Sequence, residues 1–136
     1  MFVQRKKIAG LILSGCMLPA LSWAAELQDI QFSELPGEKV ELRLKFDELP
    51  ADPAGYTIEK PARIVLDFDN TDNTLAQKKF AMDIGDVSSA VVVSSGGRTR
   101  LIVNMDQLAT YTTRKDGNTF IVEVGSERSA AENDVV

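Results

Sequence analysis

The chain has 136 residues, enough for one small domain with its own core. It carries 15 basic and 20 acidic residues, a net charge of −5, and this acidic balance argues against nucleic acid and anionic lipid headgroups as partners. Histidine is absent and cysteine occurs once. Because the commonest metal ligand and general base is missing, we expect no metal site, no cofactor and no enzymatic activity.

Residues 1–24 have the composition of a secretory signal peptide. Residues 5–7 are basic (Arg-Lys-Lys), and residues 8–21 are almost free of charge. Ser22-Trp23-Ala24 then places small residues at the −3 and −1 positions of a cleavage site. We therefore predict cleavage between Ala24 and Ala25, export to the periplasm, and a mature chain that starts at Ala25.

Two other fates of this segment stay open. Leu13-Ser14-Gly15-Cys16 matches a lipobox, in which Cys16 would be lipidated and would become the mature N-terminus. The apolar run continues past Cys16 to Trp23, which favours the later cut. An uncleaved anchor is the other alternative, although glycine and proline interrupt the run and it is short for a membrane span.

Cleavage after Ala24 changes the charge and the chemistry of the domain. The removed segment holds three basic and no acidic residues, so the mature chain has 12 basic against 20 acidic residues, a net charge of −8. It also has no cysteine, so an apolar core must hold it together without disulfides.

The mature chain shows a period of two, which is typical of half-buried strands. Leu27 to Phe32 is predicted to pair as a hairpin with the alternating segment Val40 to Phe46 across the turn at Pro36-Gly37-Glu38. Ile64, Leu66 and Phe68 define a further strand, preceded by Pro61 and followed by a turn at residues 70–73.

The second half continues the pattern. Lys79 to Ile84 is predicted to be a short strand or irregular edge, and the β-branched run Ala90 to Ser94 leads into a tight turn at Gly96-Gly97. Arg100 to Met105 follows with alternating apolar residues, and Gln107 to Tyr111 has room for one helical turn. A last hairpin joins Thr110–Arg114 to Thr119–Val124 across Asp116-Gly117-Asn118.

Short strands separated by turns predict an all-β fold, a small antiparallel β-sandwich over residues 25–125. Residues 126–136 are polar, rich in alanine and acids, and lack periodicity. They are interpreted as a linker or the truncated start of a connection.

Five segments in order make the mature chain resemble an AMIN domain, most closely that of the type IV pilus secretins (PilQ family). These segments are Phe32-Ser33-Glu34-Leu35-Pro36-Gly37-Glu38-Lys39-Val40-Glu41-Leu42, Pro61-Ala62-Arg63-Ile64-Val65-Leu66-Asp67, Arg98-Thr99-Arg100-Leu101-Ile102-Val103-Asn104, Tyr111-Thr112-Thr113-Arg114 and Gly117-Asn118. The resemblance covers about residues 26 to 125. It implies a β-sandwich that binds peptidoglycan in the periplasm and precedes the outer-membrane pore of a secretin, with other secretin subunits or pilus-assembly proteins as partners.

Strand alternation also selects candidate binding residues. Arg63 and Asp67 lie opposite one apolar strand face, and Arg100 and Asn104 lie opposite another. If the two strands are neighbours, these four side chains form one polar patch with Arg98 at its rim, suited to gripping a stem-peptide carboxylate. The alternative is that the charges only pair across the strands, worth about 0.2–1 kcal/mol each.

Aromatic and acidic residues give weaker signals. Tyr56 and Tyr111 have the chemistry to stack on sugar rings, although a half-buried strand tyrosine is the simpler interpretation. Asp67 and Asp69 share a strand face, but without histidine or a metal cluster they do not indicate catalysis. Two other functions stay open: an envelope module that docks a protein by strand addition, and the targeting domain of a cell-wall amidase.

Overall fold

The computed structural model describes residues 24–125, which form ten β-strands and no helix. The strands are β1 (Ala25–Leu35), β2 (Lys39–Phe46), β3 (Ala54–Glu59), β4 (Ala62–Asp69), β5 (Thr71–Asn73), β6 (Lys79–Ile84), β7 (Val87–Ser95), β8 (Arg98–Met105), β9 (Tyr111–Asp116) and β10 (Thr119–Val124). Within residues 24–125 there is accordingly no helix able to span a membrane.

The strands form two five-stranded sheets. The first has the order β5-β1-β2-β10-β9 and the second the order β3-β4-β8-β7-β6. All pairs are antiparallel except that the short strand β5 runs parallel to β1. The prediction of an all-β antiparallel sandwich is confirmed, and the parallel β1–β5 pair is the one departure from it among the described strands.

One apolar core lies between the sheets, built from the alternating residues of both. Phe68 of the second sheet is fully buried, with its ring centroid 5.5 Å from Phe46 and 5.3 Å from Phe120 of the first sheet. Burial of one such side chain stabilises the fold by about 1.5–3 kcal/mol. Half-buried Phe32 and Phe80 extend the contact between sheets, with centroids 5.4 Å apart.

The turns use glycine where the backbone requires it. Gly96 and Gly97 join β7 to β8 and Gly117 joins β9 to β10, all with positive φ, as the two glycine turns in the sequence predicted. Gly85 has φ +57° and lies so close to Glu38 that an added Cβ would stand 2.3 Å from the Glu38 carbonyl oxygen. This contact joins the β1–β2 turn to the β6–β7 turn.

Three local predictions were wrong or incomplete. Gln107 to Tyr111 forms no helical turn, because this segment bends at Gln107, crosses from the second sheet to the first and packs Leu108 against the core. The expected turn at residues 70–73 contains strand β5, whose Thr71 is fully buried beside Ala25. Strand β3 was not predicted, because five of its six residues are exposed and leave no alternating pattern.

The expected signal peptide, including Cys16, lies outside the described residues except for Ala24, and the polar tail 126–136 lies outside them entirely. Ala25, the expected first mature residue, is the first residue of β1. It is 5% exposed, and its backbone N–H donates a 3.1 Å hydrogen bond to the Asn70 carbonyl oxygen.

Candidate functional site

The outward face of the second sheet brings together the polar residues selected from the sequence. Strands β4 and β8 are neighbours, and their register sets Arg63 beside Asn104 and Asp67 beside Arg100. One row further, Arg98 lies beside Asp69 at the end of the sheet. We call Arg63, Asp67, Arg98, Arg100 and Asn104 the arginine face.

The centre of the arginine face is a bidentate ion pair between Arg100 and Asp67. Arg100 donates from Nε to Asp67 Oδ1 at 2.6 Å and from Nη2 to Oδ2 at 3.1 Å. The hydrogen bond from Arg100 lowers the pKa of the Asp67 carboxyl although partial burial opposes this, and the same bond raises the pKa of Arg100. The Asp67 side chain is 15% exposed and that of Arg100 41%, so the cation is the accessible partner.

The other members of the arginine face differ in how they are held. Arg98 Nε donates to Asp69 Oδ1 at 3.1 Å in an exposed pair. Asn104 donates from its amide to the Ser89 hydroxyl at 3.0 Å. Arg63 is half-buried, and its Nε is shielded from solvent without a hydrogen-bond partner among the described residues.

An apolar row crosses the arginine face between its charged rows. The register aligns Tyr56, Val65, Ile102 and Val91 across four strands. Val65 is only 3% exposed, whereas Tyr56 at the edge is 44% exposed. Tyr56 was one of two tyrosines considered for stacking, and its strand places it next to the ion pair, close enough to contribute to the raised pKa of Arg100.

Tyr111, the sixth candidate, does not lie on this face. It starts β9 at the edge of the first sheet, is half-buried, and packs against the core. Its hydroxyl lies close to Gly55 of β3, the edge strand of the second sheet. The structure therefore separates Tyr111 from the other five candidates.

Comparison with known proteins identifies the family of this chain. The family model of the AMIN domain matches residues 29–124, which is most of the chain. The chain belongs to the AMIN domain family. The resemblance found from the five sequence segments is therefore confirmed.

Relatives of this AMIN domain are named for pilus assembly. The fimbrial assembly protein PilQ of Pseudomonas aeruginosa PAO1 is 43% identical over 122 residues, which are 90% of this chain and 17% of that protein. The type IV pilus biogenesis and competence protein PilQ of Neisseria gonorrhoeae is 29% identical over 113 residues, 83% of this chain and 16% of that protein. The chain thus spans 17% or less of the length of these relatives.

The AMIN domain carries a second charged cluster, on the outward face of the first sheet, that sequence analysis missed. The Glu41 carboxylate accepts hydrogen bonds of 3.0 Å from both Arg43 and Arg114. The bond from Arg43 is the larger cause of a lowered pKa at Glu41, and the bond from Arg114 adds to it against the effect of burial. Glu123 lies directly opposite Glu41 and is 3.8 Å from Arg114.

Only the register identifies this cluster. Arg43 is two residues from Glu41 and is visible as a same-face neighbour, but Arg114 comes from β9, two strands away. The described residues contain no candidate metal site. Within residues 24–125, no three acidic or cysteine side chains are placed to hold a metal ion.

Proposed function

We propose that residues 25–125 form a non-catalytic periplasmic module that binds peptidoglycan, at the N-terminal end of an outer-membrane secretin for type IV pili. Its partners would be the cell wall, other secretin subunits and pilus-assembly proteins. The observation that carries the proposal is membership of the AMIN family together with 43% identity to a fimbrial assembly protein. Peptidoglycan is proposed as the ligand because the AMIN resemblance implies it.

The arginine face supports this proposal by its charge. The expected mature domain has a net charge of −8, so bulk attraction cannot hold an acidic polymer and a local cationic patch is needed. On the outward face of β4 and β8, three arginines stand against two aspartates, Asp67 and Asp69, so this strand pair has a net charge of +1. Guanidinium groups bind carboxylates through two parallel hydrogen bonds. The stem peptides of peptidoglycan supply such carboxylates.

A direct test is co-sedimentation of the full chain with purified peptidoglycan sacculi. We expect the parent to sediment, and Arg63→Ala, Arg98→Ala and Arg100→Ala each to weaken binding. Lys45→Gln, an exposed charge on the first sheet, is the matched control and should bind like the parent. Added salt should weaken binding gradually, because the contacts are specific hydrogen-bonded pairs and not a diffuse ionic layer. A parent that stays in the supernatant would contradict the proposal.

The Asp67–Arg100 pair permits a sharper variant, because binding and structural roles predict opposite results. Asp67→Asn leaves the side chain nearly the same size but removes the carboxylate that occupies Arg100. If Arg100 binds a ligand carboxylate, this variant should sediment more strongly than the parent, because Arg100 is released from Asp67. If the pair serves only the fold, Asp67→Asn should lower stability and leave binding no stronger, and Arg100→Ala should leave it unchanged.

The exposed edges of the sandwich favour docking of an envelope protein by strand addition as a second candidate function. β3 and β9 end their sheets, and five of the six residues in each are exposed. Failure to sediment with sacculi, together with capture by a purified pilus-assembly protein, would favour this function. An amidase-targeting role would instead require a zinc-binding catalytic pattern downstream of Val136 in the gene.

A further inference from the structure

One side of the sandwich is open between the two edge strands β3 and β9. Three residues of β9 point toward the interior, because their partners on β10 are buried core residues. These inward residues are Tyr111, Thr113 and Lys115. In a closed sandwich such positions are apolar, since they face the opposite sheet. Here they carry two hydroxyls and an ammonium group.

The facing strand is equally unsuited to closing the core. Gly55, Thr57 and Glu59 are the residues of β3 that share the inward face of their core partners on β4, and all three are exposed. A cleft of about 470 Å³ lies between the two edges, with core residues Leu66 and Phe120 among its lining. A second hollow of about 290 Å³ continues beside Thr57, and Tyr111 lines both.

Gly55 keeps the cleft open. A Cβ at this position would stand 2.7 Å from the Tyr111 hydroxyl oxygen and 2.9 Å from Leu66 Cδ2, so any larger residue would fill the space. Among residues 24–125, the Tyr111 hydroxyl has no hydrogen-bond partner. A hydroxyl that faces the cleft without a protein partner is available to a ligand.

The mouth of the cleft carries one charge of each sign. The Lys115 ammonium pairs with the Asp52 carboxylate across the opening, and their side chains are 46% and 75% exposed. An exposed pair of this kind separates at little cost. Arg114 also lines the cleft, but it points to the outward face, where it pairs with Glu41 and Glu123. Lys115 is therefore the inward cation that an incoming carboxylate would meet.

We infer that this cleft binds the peptide part of peptidoglycan, a short extended stem peptide carrying both a free carboxylate and a free amine. The inference rests on the proposed wall-binding function and names its ligand class. Free strand edges bind extended peptides through backbone hydrogen bonds. The Lys115–Asp52 pair matches a ligand with both charges, and the Tyr111 hydroxyl adds one hydrogen bond inside the cleft.

The test uses soluble fragments of the wall and isothermal titration of the full chain. The probes are the free tetrapeptide of the stem, the disaccharide-tetrapeptide, and the disaccharide from which an amidase has removed the peptide. We expect both peptide-containing probes to bind and the bare disaccharide not to bind. Binding of the bare disaccharide as tightly as the disaccharide-tetrapeptide would show sugar recognition and overturn the inference.

Three variants locate the site. Lys115→Gln and Tyr111→Phe should each reduce tetrapeptide affinity by about tenfold, the equivalent of one hydrogen bond. Gly55→Ala should reduce it further, because its Cβ enters the cleft. Lys79→Gln is the control: it makes the same charge change on β6, at the far edge of the second sheet. Thermal unfolding of each variant separates loss of the ligand from loss of the fold, and Tyr111→Phe keeps the test valid if Gly55→Ala unfolds.

Failure of this inference and failure of the proposed function give different results. If the parent sediments with sacculi and all three variants bind the tetrapeptide normally, the cleft is not the site and the wall-binding function survives. If the parent sediments but does not bind the tetrapeptide, the stem peptide is the ligand of neither the cleft nor the arginine face, and only the attachment to the wall survives. If the parent does not sediment but binds the tetrapeptide through the cleft, the site stands and the proposed attachment to intact wall fails.

Discussion

At the scale of single residues, Glu41 shows how the first sheet holds two like charges side by side. Its carboxylate is 11% exposed and lies opposite Glu123 in the register. Like charges directly across a strand pair are destabilising. The guanidinium groups of Arg43 and Arg114 offset this repulsion and keep Glu41 ionised. The stability of the sheet therefore depends on the charge state of this carboxyl.

Acid should weaken the fold through Glu41. Because the folded pKa of Glu41 lies below its ordinary value of 4.5, its contribution is present above pH 4.5 and is lost as the pH falls through the folded pKa. Thermal unfolding followed by circular dichroism at pH 7 and pH 3 measures this loss. Glu41→Gln should show a smaller drop in midpoint between these two pH values than the parent.

Glu48→Gln is the control for this experiment, because Glu48 lies exposed in the loop after β2. It should reproduce the pH dependence of the parent. An equal drop for Glu41→Gln and the parent would show that the cluster contributes nothing. The lowered pKa of Asp67 acts in the same direction, so some acid sensitivity should remain in the Glu41 variant.

At the scale of elements, the turns fix how the strands meet. Gly85 and Gly96 both have positive φ, at +57° and +60°, but their surroundings differ. A Cβ at Gly85 would collide with the Glu38 carbonyl oxygen, whereas a Cβ at Gly96 would meet nothing within 4 Å. The two positions thus separate the cost of backbone conformation from the cost of a collision between turns.

Gly96→Ala should lower the free energy of unfolding by about 1–2 kcal/mol, the cost of a left-handed backbone for a residue with a side chain. Gly85→Ala should lower it by more, because the turn carrying Glu38 must also move. Urea unfolding of both variants measures the difference. Equal losses would mean that the β1–β2 turn moves away freely and that its contact with Gly85 is unimportant.

The strands also show which parts of the fold could be predicted from the sequence. Alternation located β2, β4 and β8, because each of them buries one complete face. It also placed Arg63, Asp67, Arg100 and Asn104 on outward positions. Their assembly into one face required only that β4 and β8 be neighbours.

Other features depended on information that local sequence does not contain. Strand β3 has no buried face, so no period reveals it. The Glu41 cluster and the cleft each combine residues from distant strands, whose order in the sheets is set by the whole fold. The position of Tyr111 also depends on the strand order, because that order places the edge of the first sheet against the edge of the second beside Gly55.

At the scale of the whole molecule, the first strand starts where the expected mature chain starts. Ala25 pairs with Thr71 and lies buried at the beginning of β1. We therefore predict that the exported protein starts at Ala25. Mass spectrometry and N-terminal sequencing of protein recovered from the cell envelope will show this directly.

Cys16→Ser is the matched variant for this prediction. If cleavage follows Ala24, the substitution is removed with the leader and the mature protein keeps the same mass and the same distribution. A diacylglyceryl-modified Cys16 in the parent, with loss of membrane attachment in Cys16→Ser, would contradict the prediction and make the protein a lipoprotein.

The central strand of the first sheet determines how the domain would carry a load. β1 and β10 both pair with β2 in antiparallel fashion and so run in the same direction. β1 begins near Phe46 and β10 ends beside Val40, so the chain enters at one end of the sandwich and leaves at the other. Tension between the two ends would therefore stretch the β1–β2 and β2–β10 ladders lengthwise. The ladders would then be loaded in shear, so their hydrogen bonds would bear the force at the same time and would not break one after another.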